Sequence, residues 1–162
     1  MNASLTFLTI FLATAIFLEN EHCPIINSIK MCNGATVRSL DEIKYIIIHH
    51  SAGNGNINEI DSFHRKINGW KTIGYHYIIE KDGTIYETIP LKIVTNQVFS
   101  FNKESIGVCL IGNFEIEKST IRQYFALIKI LIILKYQFPK SKIMRHNELN
   151  ATQCPGKYLF TF

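Results

Sequence analysis

The chain has 162 residues, 47% of them hydrophobic and 19% charged, with a formal net charge of +4. That length and mix suit one globular domain with a real core and require no second one. Its Lys and Arg residues are scattered along the chain, a pattern that excludes a concentrated nucleic-acid-binding face.

Leu5 to Leu18 is an almost unbroken apolar run followed by Glu19-Asn20-Glu21. The run is too short for a stable membrane span and has the length of a secretory apolar core. Residues 1–21 are therefore expected to be a signal peptide or an N-terminal hydrophobic anchor, and the protein to be secreted or extracytoplasmic. Against this, no Lys or Arg precedes Lys30 and no small-x-small cleavage site follows the run. Residues 22–43 carry weak pattern and read as an irregular arm. Cys23 and Cys32 within it flank a short loop and are placed to pair after export.

Tyr45 to Ile48 is a β-branched run without alternation, the pattern of a central strand covered on both faces. His49 and His50 follow at its carboxyl end. Ser51 to Ile57 reads as a loop, and Asn58 with Asp61 as caps for a helix to Asn68, ended by Gly69. Ile60, Phe63 and Ile67 are predicted to face the core. Gly74 to Glu80 and Ile85 to Glu87, joined across Asp82-Gly83, read as a hairpin. Ser105 to Ile111 is a further apolar strand, with Cys109 as a buried, inert thiol. Thr120 and Gln123 form a capping-box start to a long helix reaching Phe138, stopped by Pro139. Between Ile121 and Tyr136 it is apolar on nearly every side, which predicts burial against a sheet. Lys142 to Arg145 is a last short strand delivering His146. The sum is a three-layer α/β domain over residues 44–162, a central mixed β-sheet flanked by helices.

Adjacent strand residues point to opposite faces, so His49 and His50 cannot both reach one ion. With no alternation before them, the run leaves either one open as the ligand. About a hundred residues later come His146 and Cys154, eight apart on an irregular stretch able to fold back on one centre. Two imidazoles and a thiolate from distant segments are the donors of an open catalytic zinc site, whose fourth corner is left to water. Metal-assisted hydrolysis is the chemistry such a set points to.

The blocks Ile46 to Ala52, Gly69 to Ile79, Asp82 to Glu87, Asn102 to Leu110 and His146 to Gly156 together resemble the zinc-dependent N-acetylmuramoyl-L-alanine amidases. The pattern is that of the peptidoglycan-recognition-protein type, which includes short phage endolysins. The resemblance implies zinc ligands at His49, His146 and Cys154, with Tyr75 and Thr152 as catalytic residues. It implies cleavage of the amide between N-acetylmuramic acid and L-alanine, with the muropeptide stem of peptidoglycan as the partner of a monomeric protein. His76 is expected in the core or behind the site, Trp70 against the end of the first helix, and Glu80 and Glu148 as solvated carboxylates.

Two departures stand out. Gln97 occupies the place where family members commonly carry a histidine that lines the substrate groove; glutamine hydrogen-bonds but shuttles no proton. His146-Asn147-Glu148 replaces the family's His-Arg-Asp. The alternative to an amidase is a recognition module that binds peptidoglycan without cutting it, although such relatives typically lack the cysteine kept here. Asn150-Ala151-Thr152 is a glycosylation sequon expected to stay unused, since a glycan there would obstruct the groove.

Overall fold

The computed structural model describes residues 24–27 and 34–160. The apolar run 5–18, Cys23 and Cys32 lie outside them. Six strands form one sheet: β1 (Ile25–Asn27), β2 (Tyr45–His50), β3 (Tyr77–Ile79), β4 (Ile85–Glu87), β5 (Ser105–Leu110) and β6 (Lys142–Arg145). Their spatial order is β1-β4-β3-β5-β2-β6. β3 and β4 pair antiparallel across the Asp82-Gly83 turn, and the other neighbours pair parallel. The mixed sheet expected from the sequence is the one observed.

Strands β2 and β5 lie side by side over six residue pairs, and every residue of β5 is buried. Both faces of this pair are covered, which is why neither strand alternates. On one face Ile46, Ile48, Val108 and Leu110 pack against Ala126, Leu127, Ile130 and Leu134 of helix α2 (Ile121–Gln137). On the other, Ile78 and Cys109 meet Ile73, Ile89 and Ile57, the last opening helix α1 (Ile57–Ser62). Helix, sheet and helix make the three layers.

Helix α2 starts as expected, with the Thr120 hydroxyl accepting from Gln123 N–H. Its burial is narrower than its composition predicts: Ile132 is 46% exposed, Ile133 40% and Tyr136 91%. One sheet face covers one stripe of a helix, and among the described residues no further layer lies over the other side. Helix α1 departs more. Its cap is Asn56, whose side chain accepts from Asn58 N–H and Glu59 N–H. After Ser62 the helix widens into a π turn, Phe63–Ile67, closed by a bond from Asn68 N–H to the Phe63 carbonyl. The extra residue rotates the inward face. His64 is buried, whereas Phe63 and Ile67, expected inside, are 54% and 71% exposed.

Part of the segment expected to be an irregular arm is built into the domain. Ile25–Asn27 adds an edge strand to β4. The Arg38 guanidinium, 4% exposed, donates to the carbonyls of Leu91, Asn102, Lys103 and Ser105 and lies 3.0 Å from His76 Nε2. A three-residue strand and a single buried arginine leave no periodic trace, so the sequence pattern gave no hint of either. Among the described residues no helix is long and apolar enough to cross a membrane.

Candidate metal centre

Strands β2 and β6 run parallel with Ile48 opposite Arg145. The next residue of each, His49 and His146, therefore emerges at the same carboxyl edge, where open α/β sheets bind their ligands. Their ring centroids are 4.7 Å apart. Cys154 arrives from the final loop: its Sγ lies 3.6 Å from His49 Nδ1 and accepts the His50 backbone N–H at 3.4 Å. The Cys154 carbonyl takes the Asn147 N–H at 2.9 Å, tying the His146 turn to the cysteine loop.

One donor atom from each of His49, His146 and Cys154 lies within 4.8 Å of the others. Tetrahedral zinc ligands stand about 3.3–3.8 Å apart, so the sulfur–nitrogen distance already matches and a modest closure would complete the set. Of the paired histidines, only His49 belongs to this group. His50 turns to the opposite face, where its Nδ1 accepts from Phe114 N–H at 3.2 Å.

Gly156 holds the cysteine loop in place. Its φ is +94°, and a Cβ there would sit 2.4 Å from the Phe114 carbonyl carbon. Only glycine lets the chain pass that close before Tyr158 N–H bonds the Phe114 carbonyl at 2.8 Å.

Burial governs the charge state of the cluster. It depresses His49 to about 3, helped by neighbouring His146, and lowers His146 as well. It pushes the Cys154 thiol up to about 11. At neutral pH the three groups are uncharged donors with no counter-ion, and a divalent cation is what would turn the thiol into a thiolate.

Around these donors the other expected residues fall into two groups. The Tyr75 ring is 5.1 Å from that of His49, and burial keeps its hydroxyl protonated far above the usual phenol range. Thr152 is exposed, and its Oγ1 accepts the Cys154 N–H at 3.2 Å. Gln97 points its Oε1 at His49 Nε2, 2.9 Å away, so it reaches the centre itself. The remaining residues stay outside. His76 is fully buried, with Nδ1 accepting from Gly107 N–H, as expected of a core histidine. Trp70 stacks on His64 at the end of the π turn, ring centroids 4.7 Å apart. Glu148 pairs with Arg145, and Glu80 belongs to the β3–β4 turn.

Sequence reasoning passed over Phe114, Ser105 and Asn150. Asn150 sits beside His146, and its buried amide oxygen has no other partner among the described residues. Its sequon drew attention to glycosylation, while nothing in the sequence marked the contact. A cleft of about 480 Å³ opens beside Tyr75, lined also by Ser51, Gly53, Glu59, Ile60 and Phe63. Phe63 is exposed because it forms a wall of this cleft.

Comparison with known proteins agrees with this geometry. The family model for N-acetylmuramoyl-L-alanine amidase matches residues 39–157. The endolysin of Enterobacteria phage K11 is 32% identical over 124 residues, 71% of this chain and 82% of its own. Peptidoglycan-recognition protein LB of Drosophila melanogaster is 30% identical over 72% of this chain and 56% of its own. Among solved structures, the N-acetylmuramoyl-L-alanine amidase LysC from Clostridium intestinale URNW superposes with a TM-score of 0.74 at 31% identity, covering 83% of this chain and 91% of that one. With the fold, the order of its motifs and the extent of the match in agreement, the chain belongs to the N-acetylmuramoyl-L-alanine amidase family.

Proposed function

We propose that the protein is a zinc-dependent amidase that hydrolyses the bond between the lactyl carbonyl of N-acetylmuramic acid and the L-alanine of the peptidoglycan stem. The observation that carries this reading is the convergence of His49, His146 and Cys154, with Tyr75 both beside His49 and in the lining of a cleft. His49, His146 and Cys154 would hold the zinc, which when bound would supply Lewis acidity toward the scissile carbonyl and acidify water near neutral pH.

The chain's own groups do the rest. Tyr75, kept protonated by burial, donates its hydroxyl hydrogen to the carbonyl oxygen as negative charge builds on it. The Thr152 hydroxyl, whose oxygen already accepts from Cys154 N–H, keeps its own hydrogen for the same oxygen. The cleft walled by Phe63 and Ile60 seats the stem peptide and excludes water from one side of the bond. A wall polymer as substrate places the site of action outside the cytoplasm, consistent with an apolar leader at residues 5–18.

The test is zinc content together with release of stem peptides from purified peptidoglycan, comparing wild type with Cys154→Ala. Stoichiometric zinc and peptide release, both lost in the variant, support the amidase. The non-catalytic reading, favoured by the change at Gln97, is supported instead by tight peptidoglycan binding without release. Failure to bind zinc overturns the hydrolase reading.

A further inference from the structure

Gln97 is the residue at which this chain leaves the family pattern, and its surroundings determine what it does. Its Nε2 lies 3.1 Å from Ser105 Oγ and 3.3 Å from the Ser105 carbonyl. A carbonyl only accepts, so the amide must present its NH2 to Ser105. The Ser105 hydroxyl spends its hydrogen on the Phe101 carbonyl at 2.8 Å, which leaves its oxygen free to accept as well. The amide orientation is thereby fixed: Oε1 faces His49 Nε2 at 2.9 Å and can only accept from it. Nε2 of His49 must then carry the ring hydrogen, and Nδ1, the nitrogen 3.6 Å from Cys154 Sγ, keeps its lone pair.

We propose that Gln97 is a positioning residue that locks His49 in the Nε2–H tautomer and so aims its Nδ1 lone pair at the metal position. The backbone beneath is shaped for this side chain. A Cβ at Gly107 would lie 2.1 Å from Gln97 Oε1 and 2.6 Å from its Cδ, so the amide lies flat on a stretch of β5 that only glycine leaves open. The loop carrying it is held from the other side, with Asn102 Oδ1 accepting the N–H groups of Gln97 and Val98, each at 2.8 Å. An outer partner that fixes the tautomer of a ligating histidine is a general requirement of metal sites. Here a glutamine, braced by Ser105 and seated over Gly107, meets it with no charge of its own.

The inference rests on the amidase reading for its metal, but its test does not depend on catalysis. In metal-free protein labelled with 15N, long-range proton–nitrogen correlation spectra report which His49 nitrogen bears hydrogen. Wild type is expected to show Nε2–H alone. Gln97→Met, of similar length with only a weak thioether acceptor in place of the amide oxygen, is expected to show a mixture or the opposite tautomer. Its zinc affinity, measured by competition with a chromophoric chelator, should fall by about 10–100-fold. Gln97→Glu, which restores an acceptor for Nε2–H, should recover the wild-type tautomer. A common unfolding midpoint for the three proteins separates positioning from general damage. An unchanged tautomer and unchanged zinc affinity in Gln97→Met would overturn the proposal. A wild type that binds no zinc would instead strike at the amidase reading, while the tautomer comparison still reads the role of Gln97.

Discussion

The backbone N–H of His50 donates to the sulfur of Cys154 at 3.4 Å, across 104 residues of sequence. This bond ties the end of the central strand to the final loop, so the backbone of the second histidine of the pair supports the cysteine. With His50 turned toward Phe114, only His49 faces the sulfur.

The protonation of that sulfur sets the pH dependence of metal binding. Its pKa stands near 11, whereas burial keeps His49 and His146 unprotonated at neutral pH. Binding a metal must expel one thiol proton and no imidazolium protons. Zinc affinity is therefore expected to rise about tenfold per pH unit between pH 7 and 9. Chelator competition at several pH values measures the slope. A flat profile, or a rise twice as steep, would contradict this charge state.

Tyr75 offers a cleaner separation of binding from chemistry. Its ring lies beside His49 but is not one of the three donors, so Tyr75→Phe should keep its zinc. Loss of a single donor to a developing oxyanion typically costs 10²–10³ in rate, and kcat for stem-peptide release should fall by about that factor. Full activity in a zinc-loaded Tyr75→Phe protein would remove the tyrosine from the mechanism.

What could be read from the sequence followed the physics of each signal. The β-branched run at 45–48 and the capping box at Thr120 are local patterns, and both elements lie where those patterns put them. That two imidazoles and the Cys154 thiol could meet was legible in the residue types, but preferring His49 over His50 needed family resemblance, because the run before the pair has no alternation to set its faces. The inward face of α1 was misjudged because a π turn breaks the 3.6-residue period on which the reading rested. Arg38 and Ser105 were invisible: each earns its place through carbonyls and amides of distant loops, and backbone groups leave no mark in side-chain patterns.

Gly156 tests how far the cysteine depends on its loop. Any side chain there meets the backbone of Phe114 and must also hold φ near +94°. Gly156→Ala is expected to cost about 1–3 kcal/mol of stability in denaturant unfolding. Because the strain falls two residues from Cys154, zinc affinity should drop with it. A variant as stable and as tight for zinc as wild type would show that the loop closes by another route.

Acid should weaken the metal-free fold through its buried histidines. His49 and His76 are both depressed to about 3, mainly by burial, and His64 to about 4 for the same reason. Unfolded, each would titrate near its ordinary 6.5, so between those values the unfolded chain binds protons that the folded one refuses. Folding stability from this source is complete above pH 6.5 and declines as pH falls toward 3. For the two fully buried rings, His49 and His76, the loss between pH 6 and pH 5 is roughly 2–3 kcal/mol, at about 1.4 kcal/mol per histidine per unit. Denaturant midpoints of the zinc-free protein at pH 7, 6 and 5 measure it. His76→Gln, if it folds, should flatten the decline, because that ring accounts for about a third of what the three depressed histidines contribute. A midpoint that does not move over this range would mean that the rings are charged inside the fold.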